Sequence, residues 1–175
     1  MSFSIQCAAN NVWYGTFAHF NNIGICHGLA TRIGGLSEAP FYSLNMGLRS
    51  GDDVKKVAAN RELFFQALGI AADTVVSDQQ IHGDTVAVVT AKAMGRGALN
   101  CDGLPGTDAL VTNTAGVALM VFSPTVCRYY LLIRSAGPSG LVTPVGGERR
   151  QVLPPRPYWQ CNSILVQNRA IVLSA

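Results

Sequence analysis

The apolar pattern of this sequence breaks off at Ser123, and the break limits how much of the chain can fold as one unit. Up to Phe122, short apolar runs alternate with polar or glycine-rich connections, as in strands joined by turns. Beyond Ser123 neither a helical nor a strand period persists for long, because proline interrupts the segment repeatedly. These prolines are Pro138, Pro144, Pro154, Pro155 and Pro157. We therefore predict that residues 1–122 form the N-terminal part of a single domain and that residues 123–175 are a tail of different origin.

The balance of charge changes at the same place. Residues 1–122 carry 7 Lys and Arg and 9 Asp and Glu, whereas residues 123–175 carry 6 Arg, no Lys and one acid, Glu148. Such a tail is either a basic surface or a stretch whose amino-acid sequence was never under selection for folding or function. The net charge of the whole chain, +3, is too small to indicate nucleic-acid binding.

One helix stands out before the break. Asp52 or Asp53 can cap a helix that ends at about Leu68, where Gly69 follows. Apolar residues recur along it at helical spacing, namely Val54, Val57, Ala58, Phe65 and Leu68. Apolar runs at residues 75–76, 86–90, 109–112 and 117–122 predict strands, the last of them buried. The predicted fold class is therefore α+β, with mixed or antiparallel strands and flanking helical structure.

Composition also bears on the cellular compartment. The first ten residues lack the basic group and apolar run of a secretory signal. The longest apolar stretch, residues 115–122, is too short to span a bilayer. The five cysteines form no Cys-x-x-Cys pair. We therefore expect a cytoplasmic protein with reduced thiols and no membrane association.

Several short motifs occur in one order along the first part of the chain. They are His-Gly at 27–28, Thr-Arg-Ile-Gly-Gly at 31–35, Pro-Phe-Tyr-Ser-Leu-Asn at 40–45, Gly-Asp-Asp at 51–53, Gln-Ile-His-Gly at 80–83 and Asp-Ala-Leu-Val-Thr at 108–112. In order and spacing the sequence resembles the YfiH family, also called laccase-domain or polyphenol oxidase family proteins. The resemblance extends roughly from Gly24 to Ser123, and the combination is specific although no single motif is.

The resemblance implies a metal and a substrate. In the family, zinc is held by the His of Gln-x-His-Gly, here His82, by the Cys of Ala-Asp-Cys-Val-Pro and by the His of His-Ala-Gly-Trp-Arg-Gly. Three such ligands leave a fourth position open for water or substrate. Purine nucleosides and phosphate are the implied partners, with phosphorolysis or adenosine deamination as the reaction. An older interpretation makes the family copper-dependent polyphenol oxidases.

Four further residues are candidates for substrate binding. The forked guanidinium of Arg32 suits phosphate or a ribose oxygen, although a salt bridge that fixes the loop is equally consistent with its position. Ser43 and Asn45 can hydrogen-bond substrate, or they can cap turns. Gln80 can orient His82 or pair with the backbone. We expect His82 to face a cleft near Arg32 and the end of strand 117–122.

The two later family motifs are absent from the sequence as written, but both appear in another reading frame. Combining the last base of each codon with the first two bases of the next allows Ala-Asp-Cys-Val-Pro from residues 123–128. The same offset allows His-Ala-Gly-Trp-Arg-Gly from residues 142–148. Two of the three bases in each of these codons are dictated by the residues observed, so coincidence is a poor explanation. We therefore infer a single-base frame change near Phe122 or Ser123.

The inferred frame change leaves the chain without two of the three metal ligands. Val126 occupies the place of the Cys, Thr143 occupies the place of the second His, and Cys127 comes one residue late. We therefore expect the chain as written to be inactive and its tail to pack poorly, with an unpaired sheet edge left beside it. The alternatives are a Cys–His hydrolase, a copper polyphenol oxidase and a non-enzymatic fragment.

Overall fold

A computed structural model describes residues 2–22, 24–81 and 83–122, together with the backbone of three short strands in the tail. The chain has an α+β fold, as predicted. The helices are α1 (Ala18–Asn22) and α2 (Val54–Leu68), with single 3-10 turns at Ala72–Thr74 and Ala91–Ala93. The strands are β1 (Phe3–Cys7), β2 (Trp13–Phe17), β3 (Cys26–Ala30), β4 (Val75–Gln79), β5 (Val86–Val88), β6 (Leu104–Pro105), β7 (Ala109–Thr112), β8 (Ala118–Phe122), β9 (Leu131–Ile133), β10 (Gly140–Val142) and β11 (Ser163–Gln167).

The strands form two sheets, and both are mixed. The larger has the order β1-β2-β3-β11-β8-β4-β6, and the smaller has the order β5-β7-β10-β9. In the larger sheet β4 runs parallel to its neighbours β6 and β8, while the other pairs are antiparallel. In the smaller sheet only β5 and β7 are parallel. The predicted mixture of strand directions is thus confirmed.

Strand β8 separates two layers of core. Met120 packs with Phe64 and Phe65 of α2 on one side, whereas Leu119 and Val121 pack with Leu110 of β7 on the other. Because successive residues of a strand point to opposite faces, a strand that is buried on both faces reads as a continuous apolar run. The prediction of a buried strand at 117–122 is therefore confirmed, and its last residue, Phe122, lies at the end of β8.

Helix α2 begins and ends where its capping residues require. Asp53 has extended backbone angles, and its carboxylate accepts a hydrogen bond from the Lys55 N–H at 2.8 Å. Gly69 adopts the left-handed conformation, with φ 67°, and closes the C-terminus. The buried face holds Val57, Phe64 and Phe65 but also Asn60 and Arg61, whereas Val54, which the spacing placed on the apolar stripe, is 53% exposed. Two polar residues thus share the buried face of α2 with apolar ones.

The tail contributes strands by their backbone pairing. β11 lies between β3 and β8 and pairs antiparallel with both, so the sheet edge that we expected to remain unpaired is filled there. In the smaller sheet β10 likewise pairs antiparallel with β7 and with β9. Ladder hydrogen bonds join backbone groups, and Ser-Ile-Leu-Val-Gln has high strand propensity, so a segment can join a sheet whatever its origin.

Within the described part of the chain, no helix is long and apolar enough to cross a membrane.

Candidate functional site

A cleft of about 450 Å³ opens between α2, the loop before it and the ends of β4 and β8. Its volume falls in the range typical of small-molecule sites. The walls combine backbone of glycine-rich loops with a few polar side chains and one aromatic ring. The lining residues are Asn45, Gly47, Leu48, Arg49, Ser50, Arg61, Ser77, Asp78, Gln79, Gln80, Asn100, Cys101, Gly103 and Phe122. Two of the four predicted substrate-binding residues, Asn45 and Gln80, are among them.

The side chain of Asn45 holds the loop that forms one wall. Its Nδ2 donates to Ser50 Oγ at 2.7 Å and to Asp52 Oδ2 at 2.9 Å, and its Oδ1 accepts from the Gly47 N–H at 3.1 Å. Hydrogen bonds from Ser37 first, and then from Asn45 and the Asp53 backbone, lower the pKa of Asp52 below its usual range. Asn45 therefore shapes the wall through its amide.

Asn60 of α2 forms hydrogen bonds with the loop residues that precede the helix. It is fully buried, and its Nδ2 donates to Ser37 Oγ, to Ser43 O and to Asn45 O at 2.8, 3.2 and 2.9 Å. Its Oδ1 accepts from the Leu36 N–H at 2.7 Å. The Asn60 amide has hydrogen-bond partners for both its oxygen and its nitrogen. It joins residues 31–47, called here the glycine-rich segment, to the helix, and this positions the neighbouring Arg61.

Arg61 is the buried cation of the cleft. It is 3% exposed, its Nε donates to Met46 O at 2.8 Å, and its Nη1 donates to Gly97 O and Ala98 O at 2.8 and 3.0 Å. Burial lowers its pKa to about 10, with a smaller opposing effect of Cys101, so the guanidinium stays charged at neutral pH. The sequence analysis did not single out Arg61 as a site residue. Its spacing, four residues from both Val57 and Phe65, placed it on the buried face of α2 and was the signal available.

Arg32 and Ser43 lie together in the glycine-rich segment. The Nε of Arg32 donates to Tyr42 O at 3.0 Å, while the carbonyl of Arg32 accepts from the Ser43 N–H and Oγ at 2.9 Å each. Ser43 Oγ in turn accepts from the Gly35 N–H at 3.2 Å. Neither residue lines the cleft described above. Their part in substrate binding stays a prediction.

Strand β4 leads directly into Gln80, the first residue of the Gln-Ile-His-Gly motif, which lines the cleft. Gln80 Nε2 donates to Asp78 Oδ2 at 3.1 Å, and both side chains line the cleft. The buried Asp108 accepts the Ile81 N–H at 3.0 Å and lies against Gly83, where an added Cβ would stand 3.2 Å from its Oδ2. The predicted metal ligand His82 lies outside the described residues, so its expected place near Arg32 stays a prediction.

Among the described residues no three His, Cys, Asp or Glu side chains come together as a metal site. His27, the histidine nearest the glycine-rich segment in sequence, accepts the Phe17 N–H on Nε2 at 2.7 Å and places Nδ1 3.0 Å from Ile25 O. Both of its ring nitrogens therefore serve the backbone of the sheet.

The sheet order, the capped α2 helix and the cleft at the end of β8 define an α+β protein of the laccase-domain class. A family model described as multi-copper polyphenol oxidoreductase laccase matches residues 26–130. The chain belongs to this family.

Known relatives match half to two thirds of the chain. Purine nucleoside phosphorylase YlmD of Geobacillus stearothermophilus is 39% identical over 119 residues, which are 67% of this chain and 43% of the relative. A purine nucleoside phosphorylase of Corynebacterium glutamicum is 42% identical over 92 residues, 52% of this chain and 35% of the relative. The chain thus spans less than half the length of these relatives.

Solved structures agree with the sequence matches. The crystal structure of YlmD superposes with a TM-score of 0.63 at 38% identity, covering 69% of this chain and 45% of the other. The Bacillus licheniformis hypothetical protein YfiH superposes with a TM-score of 0.67 at 26% identity, covering 74% of this chain and 48% of the other. Both solved structures therefore support the fold of the described part.

Proposed function

We propose that this chain carries the nucleoside-binding part of a purine nucleoside phosphorylase and is inactive as written. The observation that supports this most directly is the cleft at the end of β8, whose lining includes both Arg61 and Gln80, the first residue of the Gln-Ile-His-Gly motif. Relatives that share the first part of the chain are named purine nucleoside phosphorylases. Phosphorolysis requires a pocket for a nucleoside and a cation for phosphate, and the cleft combines polar side chains with a buried guanidinium.

The metal implied by the family does not fit this chain as written. The described residues offer no three-ligand cluster, and only His82 matches a position of the family's zinc set. Val126 and Thr143 stand where the Cys and the second His belong, and neither valine nor threonine offers a thiolate or an imidazole. We therefore propose no catalytic step through zinc for this chain, and we attribute the proposed inactivity to the missing ligands.

The shifted frame explains how such a chain arises. A single-base change near Phe122 or Ser123 accounts for the loss of both motifs, for the arginine-rich tail and for the prolines that follow. The proposed boundary coincides with the end of β8, so residues 1–122 keep one wall of the site while residues 123–175 replace the other half.

The test is a paired assay of the written chain and of a chain with the frame restored near Ser123. We expect zinc, measured by elemental analysis, and phosphate-dependent release of adenine or hypoxanthine from nucleosides to appear together in the restored protein. His82→Ala in the restored protein is the matched control and should lose both. Release of inosine and ammonia from adenosine without phosphate would instead identify a deaminase. Full activity of the written chain would refute the proposed inactivity.

The description of the family model favours a second candidate, polyphenol oxidation with copper. Oxygen consumption with a phenol as substrate, measured after loading the restored protein with copper, separates this candidate from phosphorolysis. A Cys–His hydrolase differs from both in keeping its activity when metal is removed with a chelator.

A further inference from the structure

Arg61 is a buried positive charge for which the described residues supply no carboxylate. In that part of the chain the ion pairs are Lys56–Glu38 and Arg96–Asp102, and neither involves Arg61. Its Nε and Nη1 are occupied by three backbone carbonyls, while its Nη2 makes no hydrogen bond to a described residue. Carbonyl dipoles satisfy hydrogen-bond donors but leave the net charge uncompensated. A desolvated cation without a counter-ion is costly, and an anion in the cleft offsets that cost.

The guanidinium is also held in place before any ligand arrives. The carbonyls of Met46, Gly97 and Ala98 come from two separate loops and accept the hydrogen bonds of Nε and Nη1. The Phe122 ring lies against the guanidinium, 4.5 Å from its carbon to the ring centroid. A donor fixed in this way loses little conformational entropy on binding, and the remaining Nη2 group can donate charge-assisted hydrogen bonds to an oxyanion.

Charged residues of both signs line the cleft. Arg61 and the exposed Arg49 are its basic residues, and Asp78 is its acidic residue. The Asp78 carboxylate accepts a hydrogen bond from the Gln80 amide. A neutral ligand part with hydroxyl or ring N–H donors suits Asp78 and Gln80, and an anionic part suits Arg61.

We propose that Arg61 forms the phosphate subsite of the cleft, binding inorganic phosphate beside the nucleoside. This proposal rests on the proposed function for the identity of the anion as a co-substrate. It differs from the sequence-based expectation, in which Arg32 was the candidate for phosphate or a ribose oxygen. Arg32 lies in the glycine-rich segment and donates through Nε to the Tyr42 carbonyl.

The first experiment measures phosphate binding to the chain as written, by calorimetric titration at constant ionic strength with chloride as the balancing anion. Arg61→Lys keeps the positive charge but loses the Nη2 donor that the carbonyl-bound guanidinium holds in place, and we expect it to weaken binding about tenfold or more. Arg96→Lys, at an arginine outside the lining of the cleft, is the matched control and should bind phosphate like the unmodified chain. Loss of binding in Arg32→Lys with retention in Arg61→Lys would overturn the proposal, as would no phosphate binding by the unmodified chain.

A second measurement needs no variant and therefore does not depend on how Arg61→Lys folds. Cys101 lines the same cleft and is exposed, whereas Cys7 is exposed on β1 and does not line it. We expect phosphate to slow alkylation of Cys101 but not of Cys7, as followed by peptide mass mapping. Equal rates at Cys101 with phosphate and with chloride would contradict a phosphate subsite in the cleft.

The phosphate subsite at Arg61 and the proposed phosphorylase function can be refuted independently of each other. If phosphate binds through Arg61 but the restored protein cleaves no nucleoside, the subsite stands and the proposed function is wrong. If the restored protein carries out phosphorolysis with an unchanged KM for phosphate in Arg61→Lys, the proposed function stands and the subsite is wrong.

Discussion

The guanidinium carbon of Arg61 lies 4.5 Å from the centroid of the Phe122 ring. This contact joins the buried face of α2 to the last residue of β8. It also marks the point at which the apolar pattern of the sequence ends, because Phe122 precedes the proposed frame change. The described wall of the cleft is therefore built entirely from residues before the break, apart from the backbone pairing that β11 provides.

Removing the ring tests this contact. We expect Phe122→Ala to lower the free energy of unfolding by about 2–3 kcal/mol, because a partly buried ring and its cation–π contact are both lost. Urea denaturation measures the change. A double-mutant cycle with Arg61→Lys should show coupling between the two positions, whereas strictly additive losses would mean that the contact contributes nothing.

Asn60 should be among the most sensitive positions of α2. Asn60→Ala leaves the Leu36 N–H, the Ser37 hydroxyl and two carbonyls without their partner in a buried place. We expect a loss of about 3 kcal/mol in the free energy of unfolding. Gln66→Ala, at an exposed position of the same helix, is the control and should change stability by about 0.5 kcal/mol or less. Similar losses in both variants would show that Asn60 has no special role.

The burial and hydrogen bonding of His27 predict that the free energy of unfolding depends on pH. Burial lowers its pKa, and a weaker effect of the Ile25 carbonyl opposes this. Its Nε2 accepts the Phe17 N–H, which an imidazolium cannot do. The unfolded chain therefore takes up a proton that the folded chain resists, so the free energy of unfolding falls as the pH drops below about 6.5 and stops falling below the lowered pKa of the folded state.

Chemical denaturation at a series of pH values from about 7.5 to about 5 measures this dependence. His27→Gln should flatten the profile, and His19→Gln, at an exposed position, should leave it unchanged. A profile that keeps its slope in His27→Gln would assign the titration to another group.

The frame proposal predicts a difference in protease resistance along the chain. We expect trypsin to cut at the arginines of residues 123–175, apart from Arg156, which precedes proline, before it cuts within residues 24–122. The tail sequence has few surfaces able to bury apolar area, so an ordering cost of about 1–2 kcal/mol per residue is poorly offset. Mass spectrometry of early fragments gives the order of cleavage. A tail as resistant as residues 24–122 would contradict the proposal and would agree with the pairing of β11 between β3 and β8.

The sequence by itself determined the elements whose signals are local. The capped helix α2, the doubly buried strand β8 and the order of the family motifs follow from spacing over a few residues, because capping and periodicity depend on neighbours along the chain. The end of the regular pattern at Ser123 was visible in the same way. The direction of the strands was predicted only as mixed or antiparallel, since pairing partners are distant in sequence.

Only the tertiary structure decided which polar residues meet in the cleft. Arg61 binds the carbonyls of Gly97 and Ala98, 36 and 37 residues further along the chain, and no local pattern encodes such a contact. Arg32, which carries the same charged group in a more conspicuous motif, donates instead to a carbonyl of its own segment. Spacing along a helix shows which face a side chain occupies, but the loops that fold over that face determine whether it packs, pairs or borders a cavity.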